Sequence, residues 1–423
     1  MIIKGKYKLL ISAIFALIFS SYLLPNLRPA FHKLSTSYGF IRNRLVKKEF
    51  KMNICLNLTN KITKIIDLNY LTTSITILDP DDSIIVDING NELRIPASNQ
   101  KIFTTAFSLA KLGPRHSLTT TLYKNRDGFY ELIGSGDPDL NLNDITTITS
   151  KISENPFFSH TRPYLVIYEE PEKSWWPESW SLTDRQEDYG APISRLAISS
   201  NATDYAINDP LTKFVSSTNS LLVDNNIFID IITKDYIKFN NNNNNNRKIL
   251  YTKNSAPLYM LLNLANSESH NFTSEVLLRN TSNSWYPSIS SDRLYNWLIN
   301  IGVDKDHVNI FDGSGLSRRN RATTRSITYV LSYMQKHKYS NYFISSMSLL
   351  GYRGTLKDYY KTSLINSKFL GKSGTLNGVR SLSGYLYTPN GIRIVSIIQN
   401  DQNYNESLFS DILSEVYKEQ NCL

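Results

Sequence analysis

Ser98 and Lys101 have the residue types and the spacing of a nucleophile and its base. They open a segment whose apolar residues recur at helical spacing up to Gly113, so we expect a helix that begins at or just before Ser98. Residues three positions apart share a helix face, and a partly desolvated lysine with a lowered pKa can take the proton of a serine hydroxyl. The helix start also offers N–H groups to a developing oxyanion. The pair therefore predicts acyl transfer through a serine.

The Ser-x-x-Lys pattern alone is weak support for this chemistry, because it arises easily by chance. Ser108 and Lys111 repeat it within the same predicted helix. We reject this second copy because Ser108 falls in mid-helix, where its backbone N–H is already bonded. Ser98 taken by itself also fits a helix cap. Two further motifs favour the catalytic interpretation.

The first of these motifs is Lys372-Ser373-Gly374-Thr375, the only Lys-[Ser/Thr]-Gly match in the chain, which precedes a predicted β-hairpin. A strand edge of this composition offers a cation, two hydroxyls and a glycine that lets a substrate backbone approach closely. We therefore expect this strand edge, with Ser373, Gly374 and Thr375, to lie against a bound substrate.

The other motif, Ser269-His270-Asn271, lies between these two and just ahead of a predicted helix. Its serine supplies a hydroxyl for proton relay, and its asparagine supplies an amide that can hold a substrate backbone. This assignment is the least specific of the three, because other Ser-x-Asn matches begin at Ser153, Ser199 and Ser217.

In this order the three motifs are typical of penicillin-binding proteins and class A β-lactamases. Beyond them, the sequence resembles the D-alanyl-D-alanine carboxypeptidase/endopeptidase family of the penicillin-binding protein 4 (DacB) type, from about residue 70 to residue 400. The matching segments are residues 96–101, 134–138 (Gly-Ser-Gly-Asp-Pro), 189–192 (Tyr-Gly-Ala-Pro), 269–271 with Glu275, 312–318 (Asp-Gly-Ser-Gly-Leu-Ser-Arg) with Asn320, 351–355 (Gly-Tyr-Arg-Gly-Thr) and 372–375. His270 and Ser373 replace the acidic or polar residue and the threonine that are usual in the family.

The resemblance implies a catalytic role for five residues. It makes Ser98 the nucleophile and Lys101 its base. It implies that Ser269 passes a proton to the leaving amine, that Asn271 holds the acyl chain and that Lys372 supplies positive potential. The sequence leaves open which lysine or serine accepts the proton.

The resemblance also implies how the substrate is bound. The backbone N–H groups of Ser98 and Thr375 would form the oxyanion hole. The hydroxyls of Ser373 and Thr375 would face the carboxylate of a peptide that ends in D-Ala-D-Ala. We expect peptidoglycan stem peptides as substrates, β-lactam antibiotics as inhibitors, and no cofactor. The sequence does not separate carboxypeptidase from D,D-endopeptidase action, because both cleave after the same D-Ala.

Two other functions stay open at this level. A β-lactamase-like hydrolase shares the motifs, but it needs a base positioned for fast deacylation, and we can assign no residue to that role. A catalytically silent peptidoglycan-binding protein could retain the fold, yet it has little need for the five catalytic residues together.

Residues 312–318 admit two interpretations. They either support the substrate cleft or form a glycine-rich turn ahead of a helix. We favour the turn, because Gly313 and Gly315 suit one and Asp312 can bond its own loop.

The predicted strands and helices indicate an α/β (α+β) fold, and the family resemblance implies that it is of the penicillin-binding-protein/β-lactamase-like transpeptidase type. Residues 74–78 and 83–88 predict two strands joined by a tight turn, and residues 381–388 and 392–399 predict a hairpin. A closing amphipathic helix follows, indicated by Leu408, Ile412, Leu413 and Val416. Strands from both ends of the chain can thus share one antiparallel sheet flanked by helices.

We expect a D,D-peptidase domain at residues 51–125 and 255–423, with a smaller inserted domain at residues 126–254. The inserted stretch mixes short β-like runs with turns. It ends in an asparagine tract at residues 240–246, which predicts an exposed loop because such a run has no apolar surface to bury.

The chain begins with the pattern of an export signal. Within residues 1–25, a basic start precedes an uncharged run at residues 9–24. That run is shorter than the ~20 residues of a spanning helix, so a cleaved signal peptide and a retained membrane anchor both stay open. Residues 26–50 are basic and weakly patterned, which is typical of a linker. We therefore expect the folded part in the periplasm or at the outer face of the cytoplasmic membrane of a bacterium.

Composition argues against several other classes. The 423-residue chain is 41% hydrophobic, and its formal net charge of +9 comes from basic residues spread along the whole length, which disfavours nucleic-acid binding. Its two cysteines and six scattered histidines predict no metal site. We predict instead that Cys55 and Cys422 form a disulfide, because the first and last helices of such a fold should lie side by side. Two unpaired thiols stay open as the alternative.

Overall fold

The part of the chain that the computed structural model describes consists of residues 50–157, 163–239, 246–359, 364–402, 407–420 and 422. From Phe50 onward these residues belong to one compact unit. The predicted signal or anchor and the predicted linker up to residue 49 lie outside this part, as do residues 240–245 of the asparagine tract. No helix of the described part is long and apolar enough to cross a membrane.

Helices and strands of the described part are numbered in chain order. The helices are α1 (Leu56–Ile66), α2 (Gln100–Leu112), α3 (Leu142–Ser153), α4 (Pro210–Asp224), α5 (Leu258–Asn266), α6 (Asn271–Thr281), α7 (Pro287–Ile301), α8 (Thr324–Gln335), α9 (Ser340–Ser345) and α10 (Leu408–Lys418). The strands are β1 (Thr73–Leu78), β2 (Ile84–Ile88), β3 (Thr119–Asn125), β4 (Phe129–Gly134), β5 (Tyr164–Glu169), β6 (Asp230–Asp235), β7 (Arg247–Asn254), β8 (Val308–Asn309), β9 (Arg321–Ala322), β10 (Ser348–Leu349), β11 (Phe369–Leu376), β12 (Val379–Thr388) and β13 (Gly391–Gln399).

The larger sheet joins the two ends of the folded chain. Its strand order is β10-β11-β12-β13-β1-β2, and all neighbours are antiparallel. β1 lies between β2 and β13, so that Thr73 faces Gln399. Side chains are buried on both faces of β1 and of most of β13, which explains their long β-branched runs. The predicted strands, the predicted hairpin and the predicted fold class are confirmed.

Helices cover both faces of this sheet. On one face, α1 and α10 bury their apolar stripes in a common cluster with the strands. On the other face, α2 is the central helix, buried from Gln100 to Leu109 and packed against α5, α6, α7 and α8. Packing on several sides therefore fixes the first turn of α2, which carries Lys101.

A second sheet comes from the middle of the chain. Its order is β6-β5-β4-β3-β7, in which β4, β5 and β6 run parallel and the other pairs are antiparallel. α3 and α4 pack on one of its faces. The sheet begins at Thr119, because β3 pairs with β4 in a hairpin, whereas the sequence places the start of the inserted domain at residue 126, in the turn of that hairpin. The division into two domains itself stays a prediction.

A disulfide links the segments next to α1 and α10, the two helices of one layer. Cys55, which precedes α1, and Cys422, which follows α10, are bonded with their Cα atoms 4.9 Å apart. Beside the bridge, Glu419 accepts hydrogen bonds from Asn57 and Lys61. The predicted pairing is confirmed, and α1 and α10 are neighbours as the prediction required.

Candidate active site

Ser98 lies where a short 3₁₀ turn, Ala97–Asn99, leads into α2. Ala97 has a φ of 47°, in the left-handed region. A Cβ on Gly315 would lie 1.9 Å from the carbonyl oxygen of Ala97, so only glycine fits at that position. The start of α2 therefore packs directly against the glycine-rich loop of residues 312–318.

Lys101 is fully buried in the first turn of α2. Its Nζ lies 2.9 Å from Ser98 Oγ, 2.6 Å from Asn271 Oδ1 and 2.6 Å from the carbonyl oxygen of Ser314. Burial lowers the pKa of Lys101 to about 7. A lysine that is partly deprotonated near neutral pH can accept the proton of a serine hydroxyl in contact with it.

Two buried carboxylates shape the loop that faces Lys101. Asp312 accepts a hydrogen bond from the backbone N–H of Gly315 at 2.8 Å, and Glu275 on α6 accepts one from the N–H of Ser314 at 2.7 Å. Both carboxylates counteract the effect of burial on the pKa of Lys101. The turn that the sequence favours is present, and the same turn directs the Ser314 carbonyl to Lys101, so this segment is both a turn and a support of the site.

Lys372 and Ser269 form a second lysine–serine contact. Lys372 Nζ lies 2.9 Å from Ser269 Oγ and 2.7 Å from the carbonyl oxygen of Ser373. Lys372 is fully buried on β11, and burial, together with the charge of Lys101, lowers its pKa well below the ordinary value. Ser269 has a φ of 62°, a costly left-handed conformation in which its hydroxyl reaches Lys372.

Asn271 begins α6, and its carboxamide is held at both ends. The Oδ1 atom accepts from Lys101, and Nδ2 donates to the carbonyl oxygen of Tyr189 at 2.9 Å. These contacts fix the orientation of the amide. Within the described residues, they leave the second N–H of Nδ2 for a ligand.

His270, between Ser269 and Asn271, turns its ring toward its own helix. Its Nδ1 lies 2.8 Å from Thr273 Oγ1. Burial, with the positive charge of Lys101, lowers the pKa of His270 to about 4. The imidazole is therefore neutral at physiological pH and carries no charge into the site.

Strand β11 runs beside the start of α2. A Cβ on Gly374 would lie 2.9 Å from the backbone nitrogen of Ser98 and 3.0 Å from the carbonyl oxygen of Pro96. Ser381 on β12 donates to that same carbonyl at 2.7 Å. Glycine at position 374 therefore lets the strand approach Ser98 closely.

The two hydroxyls of β11 have partners within the protein. Thr375 Oγ1 accepts from the guanidinium of Arg380, on the neighbouring strand, at 2.7 Å. A cation thus stands beside the position predicted for the substrate carboxylate. Ser373 Oγ lies 2.7 Å from Thr355 Oγ1, in the segment ahead of β11.

These groups meet in an open cleft of about 500 Å³, lined by Ser98, Ser269, Asn271 and Thr375. Lys101 and Lys372 lie behind the two serines, each bonded to one of them. The structure therefore brings the five residues predicted as catalytic into one place. Of the predicted substrate-binding residues, Thr375 lines the cleft, and Ser373 and Gly374 precede it on the same strand.

The competing motif matches lie elsewhere. Ser108 is inside α2 and donates to the carbonyl oxygen of Thr104 at 2.9 Å, as expected of a mid-helix serine. Ser153 ends α3 and Ser217 lies in α4, both beside the second sheet. Ser199 lines a neighbouring pocket rather than this cleft.

Four contributors were not assigned to the site from the sequence: the carbonyl groups of Ser314 and Tyr189, and the side chains of Thr355 and Arg380. The first three lie in segments that match the family resemblance, and that membership is the signal that could have found them. Arg380 lies in no such segment, and its place follows only from the pairing of β11 with β12.

The sequence profile of the D-Ala-D-Ala carboxypeptidase 3 (S13) family matches this chain over residues 57–229 and 229–415. The chain belongs to this family. The resemblance derived from the motifs is thereby confirmed, and this S13 chain is a peptidase.

Two relatives of this S13 chain are D-alanyl-D-alanine carboxypeptidases by name. The enzyme of Actinomadura sp. (strain R39) is 22% identical over an alignment that covers 74% of this chain and 74% of the relative. DacB of Haemophilus influenzae is 20% identical over an alignment that covers 81% of this chain and 86% of the relative.

Solved structures share the fold of this S13 chain. Penicillin binding protein 4 (dacB) from Haemophilus influenzae matches with a TM-score of 0.72 at 16% identity, covering 84% of this chain and 98% of that chain. A predatory endopeptidase from Bdellovibrio bacteriovorus matches with a TM-score of 0.54 at 16% identity, covering 81% and 90% of the two chains.

Proposed function

We propose that this S13 family member is a serine-type D-Ala-D-Ala carboxypeptidase that acts on peptidoglycan stem peptides through an acyl-enzyme on Ser98. The observation that carries the proposal is the 2.9 Å contact between Ser98 Oγ and Nζ of the buried Lys101, whose pKa is lowered to about 7. The names of the two carboxypeptidase relatives support the choice of substrate.

Acylation follows from the groups around Ser98. Neutral Lys101 accepts the hydroxyl proton while Ser98 Oγ attacks the carbonyl carbon of the penultimate D-Ala. The backbone N–H groups of Ser98 and Thr375 bind the oxyanion that forms. Asn271, held by Lys101 and Tyr189, offers its remaining N–H to the acyl chain.

Departure of the terminal D-Ala uses the second lysine–serine pair. Ser269 gives its proton to the leaving amine and regains one from Lys372, 2.9 Å away. Burial and the charge of Lys101 both lower the pKa of Lys372, so Lys372 holds its proton better while Lys101 is the neutral base than after Lys101 has been protonated. Water then hydrolyses the ester, giving one proton to Lys372 while Ser98 takes one back from Lys101.

The terminal carboxylate of the substrate binds beside β11 in this proposal. Thr375 lines the cleft and Arg380 donates to its hydroxyl, so a hydroxyl and a cation stand together there. The D-residue beyond the cleaved bond of a cross-link also carries a free carboxylate, and D,D-endopeptidase action therefore fits the same place. Penicillins carry an equivalent carboxylate, and penicillin binding protein 4 from Haemophilus influenzae has been solved in complex with a β-lactam.

The proposed place of action is the periplasm or the outer face of the cytoplasmic membrane of a bacterium. Its substrate, peptidoglycan, lies there. The predicted export signal or anchor at residues 1–25 fits a location outside the cytoplasm, and the disulfide between Cys55 and Cys422 fits an oxidising compartment.

Covalent labelling by penicillin tests the proposal. Mass spectrometry of the purified protein should find one penicilloyl group on Ser98, because the strained amide and the carboxylate mimic the end of the peptide. Ser98→Ala should abolish labelling. Ser108→Ala, the matched control from the second Ser-x-x-Lys copy, should keep it. A label on Ser108, or no label, would remove Ser98 as nucleophile.

The same experiment distinguishes a carboxypeptidase from the nearest alternative enzyme, a β-lactamase-like hydrolase. Asp184 lines the cleft and supplies a carboxylate, but Ser181 and Tyr189 already donate hydrogen bonds to it. A carboxypeptidase should therefore retain the penicilloyl group for many peptide turnovers. Steady hydrolysis of penicillin would favour the β-lactamase, and labelling without release of D-Ala from any stem peptide would contradict both.

A further inference from the structure

Residues 351–355, between β10 and β11, lie against the loop that carries Ser269. Gly354 has a φ of 69°, and a Cβ there would lie 2.2 Å from Ser267 Oγ and 2.5 Å from the Ser267 carbonyl oxygen, so only glycine permits the contact. The next residue, Thr355, donates its backbone N–H to that carbonyl at 2.9 Å. The segment therefore holds the chain two residues ahead of Ser269.

A chain of three hydroxyls leads from this contact to the predicted substrate-binding strand. Thr355 Oγ1 lies 2.7 Å from Ser373 Oγ on β11 and 3.2 Å from Ser348 Oγ on β10. Ser348 is fully buried and also contacts the Ser267 carbonyl at 3.0 Å. Ser373 is half-buried and, being two residues from Thr375, lies on the same face of β11. The chain thus connects a buried carbonyl with the strand face that leads to the cleft.

Each of these hydroxyls has one proton to donate, so the chain can run in two directions. In the inward direction, Ser348 donates to the Ser267 carbonyl and Thr355 donates to Ser348. Ser373 then donates to Thr355 and offers a ligand only its lone pairs. In the outward direction, Ser348 donates to Thr355 and Thr355 donates to Ser373, which keeps its own proton for a ligand. The Ser267 carbonyl still has the N–H of Thr355 in that state.

An anion beside Ser373 favours the outward direction, because a carboxylate accepts a hydrogen bond and cannot donate one. We infer that Thr355 is a positioning residue that orients the Ser373 hydroxyl as a donor to the terminal carboxylate of the substrate. The inference rests on the proposed function and deepens it. Thr355 does not touch the substrate, and it contributes only when a carboxylate is there to bind.

Two substitutions at position 355 separate this role from a merely structural one. Thr355→Val keeps the backbone N–H and the branched shape but removes the hydroxyl, whereas Thr355→Ser keeps the hydroxyl. The measurement is kcat/KM for a peptide that ends in D-Ala-D-Ala and for its C-terminal amide. We expect Thr355→Val to lose about 10-fold on the free acid and less than about 3-fold on the amide, and Thr355→Ser to keep the wild-type ratio.

Ser373, at the other end of the chain of hydroxyls, gives an independent test. Ser373→Ala, at the half-buried end, should lower the free-acid to amide ratio as Thr355→Val does, even if the latter folds poorly. The double variant should add nothing further, because both changes break one chain. The matched control is Thr218→Val, which removes a buried hydroxyl that donates to Phe214 within α4, and it should leave the ratio unchanged.

Equal losses on both peptides, or a Thr355→Ser variant as impaired as Thr355→Val, would overturn the positioning role. An active wild-type protein whose ratio is unchanged in Thr355→Val and in Ser373→Ala would overturn this inference and leave the proposed function intact. A wild-type protein that cleaves neither peptide and takes no penicillin would overturn the proposed function, and the inference with it.

Discussion

The proposed role of Lys101 depends on its removal from water. At the ordinary pKa of 10.5 a lysine amine is protonated at neutral pH and cannot act as a base. Burial in the first turn of α2 lowers the pKa to about 7, and the charges of Asp312 and Glu275 limit the fall. The proton affinity of the amine is thereby placed near the pH at which a general base is most effective.

The rate of acylation by penicillin should therefore rise with pH through about 7, the pKa of Lys101. Below that pH the amine is protonated and cannot take the proton of Ser98, and above it the amine is neutral and can. Acylation rate constants measured by mass spectrometry between about pH 5 and pH 9 test this expectation. Thermal unfolding over the same range is the control. A flat profile, or a rate that still rises without levelling off at pH 9, as the ordinary lysine pKa of 10.5 would require, would contradict the role.

Short motifs located the side chains of this site because their chemistry is restricted to few residue types. An amine in contact with a serine hydroxyl can come only from lysine, and Ser98 with Lys101 is such a pair. The carbonyl groups of Ser314 and Tyr189 could not be located in this way, since every residue has one. Which carbonyl faces the site depends on the path of the backbone, and that path is set by packing.

At the scale of elements, the site is a meeting of one helix start, one loop and one strand. Gly315 permits the contact between the loop and the turn at Ala97, and Gly374 permits the contact between β11 and Ser98. In each case a side chain would collide with backbone, which cannot move aside as a flexible side chain can. These two glycines therefore set how closely the three elements approach.

Gly315→Ala should displace the start of α2 and lower the acylation rate by about 10²-fold, the scale of a misplaced nucleophile. Gly128→Ala is the matched control, because Gly128 has a similar φ of 92°, against 85° for Gly315, but nothing lies within 4 Å of its Cβ position. Both variants should lose about 1 kcal/mol of unfolding free energy from the left-handed backbone. Only Gly315→Ala should lose more unfolding free energy than this, and only Gly315→Ala should also lose acylation activity. Equal effects in the two variants would mean that the contact with Ala97 is unimportant.

The elements themselves were predictable where local pattern and burial agree. The strands at both ends of the chain, the helix after Ser98 and the closing helix all follow from apolar periodicity. The start of the second sheet could not be predicted in this way, because β3 differs from the strands of the larger sheet only in the strands with which it pairs. The sequence places residue 125 in the peptidase domain, whereas β3 pairs with β4 and β7.

At the scale of the molecule, the larger sheet gathers residues from distant parts of the chain into one site. Lys372 comes from β11 near the C-terminal end, whereas Ser98 follows β2 near the N-terminal end. The layer of α1 and α10 covers the sheet that carries both, and the Cys55–Cys422 disulfide ties that layer together. Residues at opposite ends of the chain could be paired from sequence here only because strands were predicted at both ends.

Cys55→Ser should lower the free energy of unfolding by about 3 to 5 kcal/mol, because the bridge restricts the unfolded chain. Denaturant unfolding of the oxidised protein, the reduced protein and the variant tests this. The reduced protein and the variant should unfold together, at lower denaturant than the oxidised protein, and only the oxidised protein should respond to reductant. A variant as stable as the oxidised protein would show that the bridge adds no stability.

The position of β1 between β2 and β13 also determines the order in which the two sheets can form. A polypeptide is synthesised and exported from its N-terminus, so β1 and β2 are delivered long before β13. Until β13 arrives, one edge of β1 has no neighbouring strand. The second sheet draws all its strands from residues 119–254 and can close as soon as β7 has been made. An open, apolar strand edge is prone to pairing with other chains. The larger sheet, and the candidate site that it helps to build, can therefore be completed only after the residues up to Gln399 have been delivered.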